Sequence, residues 1–429
     1  MRAGLNYSNS NRVAEGFPAQ ARSGRAATRR EALRRLMLLA ASSPALAQSQ
    51  GTGLRRERPN TIYPPTYSAE VMGPVNVHEI EEAAKKRIHP LAYDYIAGGS
   101  AGELTMRSNR EAFLHVQVRR RVGRDVSKID TTLDLLGRRL DFPILLGPGG
   151  AKNLVFPEGD QVTARAAAHT KAVYLTGPAD WMAKLQRSGQ APVWWAASLG
   201  FATRASAETF AKRAEEAGAS AICVSVDYPY TAPRDRNVRN KFDYAWTQAG
   251  IPAHPTGKPQ IPAVAGMIQA YVPSMTWNCV DWLHGATRLP IVLKGICTAE
   301  DALLAVERGA QAVIVSNHGG RTLDGMIPTL YALPEVIDAV HGRIPVLMDG
   351  GIRRGGDIIK AMALGAKAVL IGRPYYWGLA AFGQDGVQRV VELLRAELTV
   401  AMGMSGVPNL NSFDRSMVEF GPGTSPVTE

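Results

Sequence analysis

Eight short apolar runs recur along this 429-residue chain, and few folds can hold them all. They are Pro143–Leu146, Ala172–Leu175, Val193–Ala197, Ala221–Val226, Pro290–Leu293, Gln311–Val315, Ile344–Met348 and Lys367–Ile371. Each is apolar nearly throughout rather than at alternate positions, as parallel strands covered on both faces are. Amphipathic segments such as Ala205–Ala217, Ala299–Arg308 and Gly356–Leu364 lie between them and end near a glycine, which suits a helix C-terminus. Strand and helix in eightfold alternation specify the α/β class and a single (β/α)8 TIM barrel. Two helical segments, Glu79–Arg87 and Leu91–Ile96, should lead into it, separated at Pro90. One connection is long: residues 228–289, after the fourth strand, carry Met267, Ile268, Tyr271, Val272, Met275, Trp277 and Trp282. Such an excursion reads as a lid or binding loop, or as a small subdomain packing its own apolar residues.

The flanks differ from the barrel. Residues 1–47 hold eight arginines and two glutamates, which puts +6 of the net +11 there and leaves +5 on the rest. An excess that thin gives no footprint for nucleic acid. The pair Arg29–Arg30, the apolar stretch Leu36–Ala41 and the small residues Ala45 and Ala47 form a charged, apolar and cleavable sequence, read as a twin-arginine-type signal peptide that exports the protein to the periplasm. A basic amphipathic arm is the alternative. Residues 48–75 read as a linker, 76–415 as the barrel domain and 416–429 as a tail. Cys223, Cys279 and Cys297 have neither disulfide nor metal spacing.

Barrel enzymes place their chemistry at the C-terminal ends of strands, and those ends are polar here. Ser316-Asn317-His318-Gly319-Gly320-Arg321 follows the sixth run, so a base and a guanidinium can meet one small carboxylic acid. Ser225, Asp227 and Arg234 follow the fourth run and Lys294 the fifth. After the seventh and eighth come Asp349-Gly350-Gly351-Ile352-Arg353 and Gly372-Arg373-Pro374. Glycines there let backbone N–H groups approach an anion. Arg353, Arg354 and Arg373 add charge, and a helix over Asp357–Leu364 would aim its N-terminus at the same phosphate.

These motifs resemble the FMN-dependent 2-hydroxy-acid oxidases and dehydrogenases, a family that includes glycolate oxidase, lactate oxidase, mandelate dehydrogenase and the flavin domain of flavocytochrome b2. The resemblance spans about residues 76–415 and rests on YDYIAGG (93–99), SVDYP (225–229), LKGI (293–296), SNHGGRTLD (316–324), DGGIRRGGDIIKAMALGA (349–366) and IGRP (371–374). It implies FMN as cofactor and oxidation of an (S)-2-hydroxy acid to the 2-oxo acid. His318 would be the base and Asp227 its partner, with Arg321, Arg234 and Tyr95 gripping the carboxylate. Lys294 would sit by the flavin N1 and O2 edge. Pro148, Gly149, Gly150, Thr176, Ser225 and Ser316 would line the ring. Asp349 would meet the ribityl chain, and Gly350, Gly351, Ile352, Arg353, Gly372 and Arg373 the phosphate end. The family also implies a homo-oligomer, commonly a tetramer, with electrons passing to O2, a quinone or a cytochrome. Its mandelate dehydrogenase member suggests membrane-surface contact through 228–289.

The third strand departs from the family. Where an aromatic-Gln-x-Tyr pattern is usual, this chain has Trp195-Ala196-Ala197-Ser198, and Gly177-Pro178 follows Thr176. Ala196 removes an amide partner of the flavin, and Ser198 a phenol ring beside the substrate. A roomier pocket for larger hydroxy acids follows. Two other readings compete: an FMN-binding homologue of weak or altered activity, and a non-catalytic exported ligand-binding protein.

Overall fold

The computed structural model describes residues 67–253, 255 and 269–421. The expected signal peptide and most of the linker lie outside the described residues. Eight strands close into an all-parallel barrel: β1 (Ile144–Leu146), β2 (Val173–Thr176), β3 (Trp194–Ser198), β4 (Ile222–Ser225), β5 (Ile291–Ile296), β6 (Ala312–Val315), β7 (Val346–Met348) and β8 (Ala368–Ile371). Neighbours in sequence are neighbours in the sheet, and β8 returns to β1 through Val369↔Ile144, Leu370↔Leu145 and Ile371↔Leu146. Every residue of β1, β2, β4, β6, β7 and β8 is buried, which is why the apolar runs do not alternate. The expected (β/α)8 barrel is the fold.

Helices α1 (Val77–Arg87), α2 (Pro90–Ala97) and α3 (Leu104–His115) precede the barrel. Pro90 does not interrupt a helix; it opens α2, where its missing N–H costs nothing. The strands are followed in turn by α4 (Gly159–Thr170), α5 (Asp180–Arg187), α6 (Arg204–Glu216), α7 (Asn278–Ala286), α8 (Ala299–Glu307), α9 (Thr329–Val340), α10 (Gly355–Ala363) and α11 (Arg373–Ser405). The packed unit extends beyond the expected domain limits at both ends. Tyr67 donates to Gln388 and Glu392 of α11 at 3.1 and 2.9 Å, and Val418–Phe420 pairs antiparallel with Val116–Val118.

The long connection is anchored rather than free. Tyr230–Thr231 pairs with Gln269–Ala270, and buried Phe242 stacks on Tyr95 of α2 with ring centroids 4.8 Å apart. Trp246 and Tyr244 pack edge-on to the same Phe242. The described part of the connection therefore behaves as a subdomain whose apolar residues clamp α2 over the barrel mouth.

Helix α11 bends at Phe382 and Gly383, and the two limbs touch backbone to backbone at Gly378 and Gly386. A methyl group on Gly386 would overlap the Gly378 carbonyl. Gly386→Ala is expected to destabilise the protein by about 1–3 kcal/mol through overpacking. Gly403→Ala, in the same helix with nothing within 4 Å of a new Cβ, is expected to stabilise it by about 0.5–1 kcal/mol. Thermal unfolding of the two variants beside wild type checks both signs.

Candidate active site

The turn after β6 sets the geometry. His318, Gly319 and Gly320 all take left-handed backbone angles, with φ of 57°, 63° and 74°. Glycine enters that region freely, but a histidine needs to be held there. Buried Asn317 does the holding: it exchanges side-chain hydrogen bonds of 2.8 and 3.0 Å with Asn109 of α3, and it donates to the Ile327 carbonyl at 3.0 Å. The imidazole is thereby turned toward the end of β4. Its Nδ1 lies 3.1 and 3.3 Å from the two Asp227 oxygens, and the Tyr228 ring stands 5.1 Å from it.

Burial alone would push the Asp227 carboxyl up. His318, the hydrogen bond between them and Lys294 outweigh burial and hold the group below its ordinary range. A carboxylate that stays ionised beside an imidazole favours proton uptake at the other ring nitrogen.

Lys294 sits where β5 shifts register between Lys294 and Ile296. Its ammonium is buried, 3.1 Å from Asp349 and donating to Ser316 at 2.8 Å; Ser316 in turn accepts from the His318 N–H at 3.1 Å. Burial opposes the charge, but Asp349 and Asp227 more than offset it and raise the group's pKa. The other Asp349 oxygen, Oδ1, is buried without a partner.

Three arginines converge on the same mouth. Arg321 donates to the carbonyls of Tyr95, Ile96 and Gly98 at 3.0, 3.0 and 2.8 Å. Arg373 donates to Ile96, Gly98 and Gly319 at 3.1, 2.9 and 2.9 Å. Arg234 is 5% exposed, and its Nε and Nη1 have no hydrogen-bond partner among the described residues. Arg234 and Arg321 both lie over the Tyr95 ring, at 5.1 and 5.3 Å from its centroid. No carboxylate among the described residues is within ion-pair distance of any of the three. Burial and the neighbouring Arg234 lower the Arg321 guanidinium to about 10. Arg373 is lowered by burial and by Arg321, Arg353 and Arg234. Arg353 falls to about 10 by burial, with Arg110 contributing. A cluster of like charges capped only by carbonyls is built for anions.

The phosphate end differs in one respect from the sequence expectation. Arg354 turns outward to Glu397 at 2.8 Å, and Asp357 accepts the N–H groups of Arg353 and Arg354 at 2.8 and 3.0 Å. The first N–H groups before α10 are thus already satisfied by the protein, and Arg353 and Arg373, which donate to backbone carbonyls, have no carboxylate within ion-pair distance among the described residues. Pro148, Gly149 and Gly150 form the loop after β1; Thr176 and Ser225 end β2 and β4; Gly350, Gly351 and Ile352 follow β7; and Gly372 follows β8. On β3, Ala196 is fully buried, and Ser198 folds onto its own turn, donating to the Gly200 carbonyl at 3.1 Å. A separate cavity of about 900 Å³, lined by Thr231, Met275, Trp277 and Met326, reaches Asp227 but is not lined by His318 or the arginines. Asn109 and Tyr228 escaped the sequence reading, although Tyr228 lies inside the SVDYP motif; Asn109 carries no local signal.

The chain matches the FMN-dependent dehydrogenase family over residues 84–420. It is 39% identical to an L-lactate oxidase of Nostoc sp. over 81% of this chain and 99% of that protein. It is 41% identical to a peroxisomal (S)-2-hydroxy-acid oxidase of Oryza sativa subsp. japonica over 80% of this chain and 96% of that one. A crystal structure of mandelate oxidase with (S)-2-phenylpropionate superposes with a TM-score of 0.71 at 36% identity, covering 81% of this chain and 99% of that one.

The Asp227 pair has a pH signature. A carboxyl held below its ordinary value of 3.8 contributes stability that is fully present above that value and is lost as pH falls through the lower folded pKa. The melting temperature of Asp227→Asn is therefore expected to lie below wild type at pH 7, with the gap narrowing as the buffer drops below 3.8. Melting curves across that range check the sign.

Proposed function

The chain belongs to the FMN-dependent dehydrogenase family, and from that premise we propose that it oxidises an (S)-2-hydroxy acid to the 2-oxo acid with His318 as base. The observation that carries the reading is the His318–Asp227 pair at the same mouth as Arg234 and Arg321, two guanidinium groups without a carboxylate partner among the described residues.

The residues fit FMN. Among the described residues Asp349 Oδ1 is a buried acceptor without a donor, as a ribityl hydroxyl would supply, and Arg353 and Arg373 are buried cations with no carboxylate within ion-pair distance, as a phosphate would supply. Bound FMN supplies the two-electron acceptor. Lys294, a buried cation, would favour negative charge on the ring edge beside it. Arg234 and Arg321 would fix the substrate carboxylate through planar, bidentate contacts, and Tyr95 would brace both from beneath. That would set the hydroxyl-bearing α-carbon next to the imidazole. His318 would act as the base as the two hydrogens leave the CH–OH group and its electron pair passes to bound FMN, and Asp227 would stabilise the imidazolium. The oxidase names of the relatives support O2 as final acceptor, over a quinone or cytochrome.

Small residues on the β2 and β3 side, Gly177 and Ser198, support a substrate larger than glycolate or lactate. The competing reading, a flavoprotein of weak activity, draws on Ala196, which offers the ring no amide.

Anaerobic mixing of FMN-loaded protein with 2-hydroxy acids from glycolate to long-chain and aryl members is expected to bleach the flavin, fastest with the larger acids, and air is expected to restore it. His318→Asn should slow bleaching by about 10²–10⁴-fold, and Ser198→Tyr should move the preference toward small acids. No bleaching with any acid would leave the weak-activity reading, and bleaching restored only by a quinone would replace O2.

We also propose that residues 1–47 direct export by the twin-arginine route. Replacing Arg29 and Arg30 with lysine is expected to retain the protein in the cytoplasm; cell fractionation finding it still exported would remove the twin-arginine route.

A further inference from the structure

Two lysines are buried among the described residues, Lys294 and Lys152, and the second has no part in the reaction above. Lys152 is fully buried directly behind the loop that follows β1. Its ammonium lies 2.8 Å from Asp160, which also accepts from the Tyr174 hydroxyl at 2.8 Å, and it donates to the carbonyl of Gly149. The rings of Tyr174, Tyr375 and Tyr376 surround it with centroids 5.5, 5.9 and 5.3 Å from the nitrogen. The Tyr376 hydroxyl donates to the carbonyl of Gly150 at 2.6 Å.

Two successive carbonyls, of Gly149 and Gly150, are therefore held by side chains of one buried cluster. A trans peptide is planar, so its N–H points away from its C=O. The N–H groups of Gly150 and Ala151, which share those two peptides, must point away from the cluster. Neither has a protein partner among the described residues, and a Cβ on Gly150 would meet nothing within 4 Å. That open side belongs to the site already described: the loop lies at the C-terminal mouth of the barrel, and Tyr376 lies within electrostatic reach of Lys152 on one side and of Tyr95 and Arg321 on the other.

We propose that Lys152 and Tyr376 are positioning residues that aim the Gly150 and Ala151 N–H groups at the flavin and make the reduced cofactor easier to form. A carbonyl that accepts a strong hydrogen bond polarises its amide and strengthens the N–H on the same peptide as a donor, most of all when the bond comes from an ammonium. The reduced ring carries more negative charge than the oxidised ring, so such donors, with a cation behind them, favour reduction. Asp160 keeps that cation charged in a buried place without itself touching the loop carbonyls.

The proposal rests on FMN binding alone. Its test uses no hydroxy acid, so it stands or falls separately from the substrate reading. FMN-loaded wild type, Lys152→Met, Lys152→Arg and Tyr376→Phe would be titrated anaerobically with dithionite against a reference dye. Lys152→Met is expected to shift the oxidised-to-reduced equilibrium at least tenfold toward the oxidised flavin, about 30 mV for a two-electron couple. Lys152→Arg should recover most of that shift, and Tyr376→Phe should show a smaller one in the same direction. An unchanged potential in FMN-loaded Lys152→Met, or an arginine variant as far displaced as the methionine one, overturns the proposal. Should Lys152→Met fail to retain FMN, Tyr376→Phe decides: a wild-type potential there overturns it as well.

Discussion

Uncompensated positive charge at the barrel mouth is the constraint around which the rest of this protein is arranged. Burial and the neighbouring arginines lower the proton affinity of Arg321 and Arg373, and no carboxylate among the described residues lies within ion-pair distance of either or of Arg234. Charge held out of water without a partner is costly, and the fold moderates the cost with backbone carbonyls. Those carbonyls come from Tyr95, Ile96 and Gly98, at and just past the end of α2, so the leading helices are part of the site's electrostatics. The long connection serves the same end. It delivers Arg234 and then packs Phe242 against Tyr95, while Arg236 bridges Glu103 at 2.7 Å and Asp94 at 3.4 Å.

A second, opposite network fixes the base. Asp227 and Asp349 are the carboxylates, Lys294 stands near both, and Ser316 connects Lys294 to the His318 backbone. The left-handed backbone at His318 costs something on its own, of the order of 1–2 kcal/mol for a non-glycine residue. The Asn109–Asn317 pair and the Asp227 contact are what hold it. The proposed base and the proposed carboxylate contact thus belong to separate networks meeting at one turn, since Arg321 leaves the same loop three residues after His318.

The barrel was legible because parallel strands buried on both faces leave uninterrupted apolar runs; seven of the eight agree with the strands to within a residue or two at each end, and the fifth strand continues three residues past its run, to Ile296. The site's charged residues were legible for a related reason, since a buried run that ends in His, Asp, Lys or Arg has few structural excuses. What could not be read depends on contacts distant in sequence. Arg354 looks like a phosphate ligand beside Arg353 until Glu397, 43 residues on, claims it. Asn109 shows nothing locally, yet it holds Asn317 across 208 positions. Lys152 resembles a surface lysine in a loop and is fully buried, because Asp160 and three tyrosines from β2 and α11 close around it.

Recognition of a 2-hydroxy acid divides between two kinds of contact, and this chain treats them differently. In the proposed function the carboxylate contacts are guanidinium groups whose geometry is independent of what the acid carries at its far end, so those residues can stay fixed while the substrate changes. The far end meets side chains whose contribution is apolar contact, worth only about 1–3 kcal/mol per methylene. Substitutions there alter the choice of acid without disturbing the chemistry. The Asp227–His318 pair and both arginines stand at the mouth, whereas Ala196 and Ser198 are small residues near the end of β3. Ser198 spends its hydroxyl on the turn at Gly200 rather than on a ligand, so it leaves space and no new polar demand. On the function proposed above, a site with small residues there would keep the means to oxidise and change what it selects.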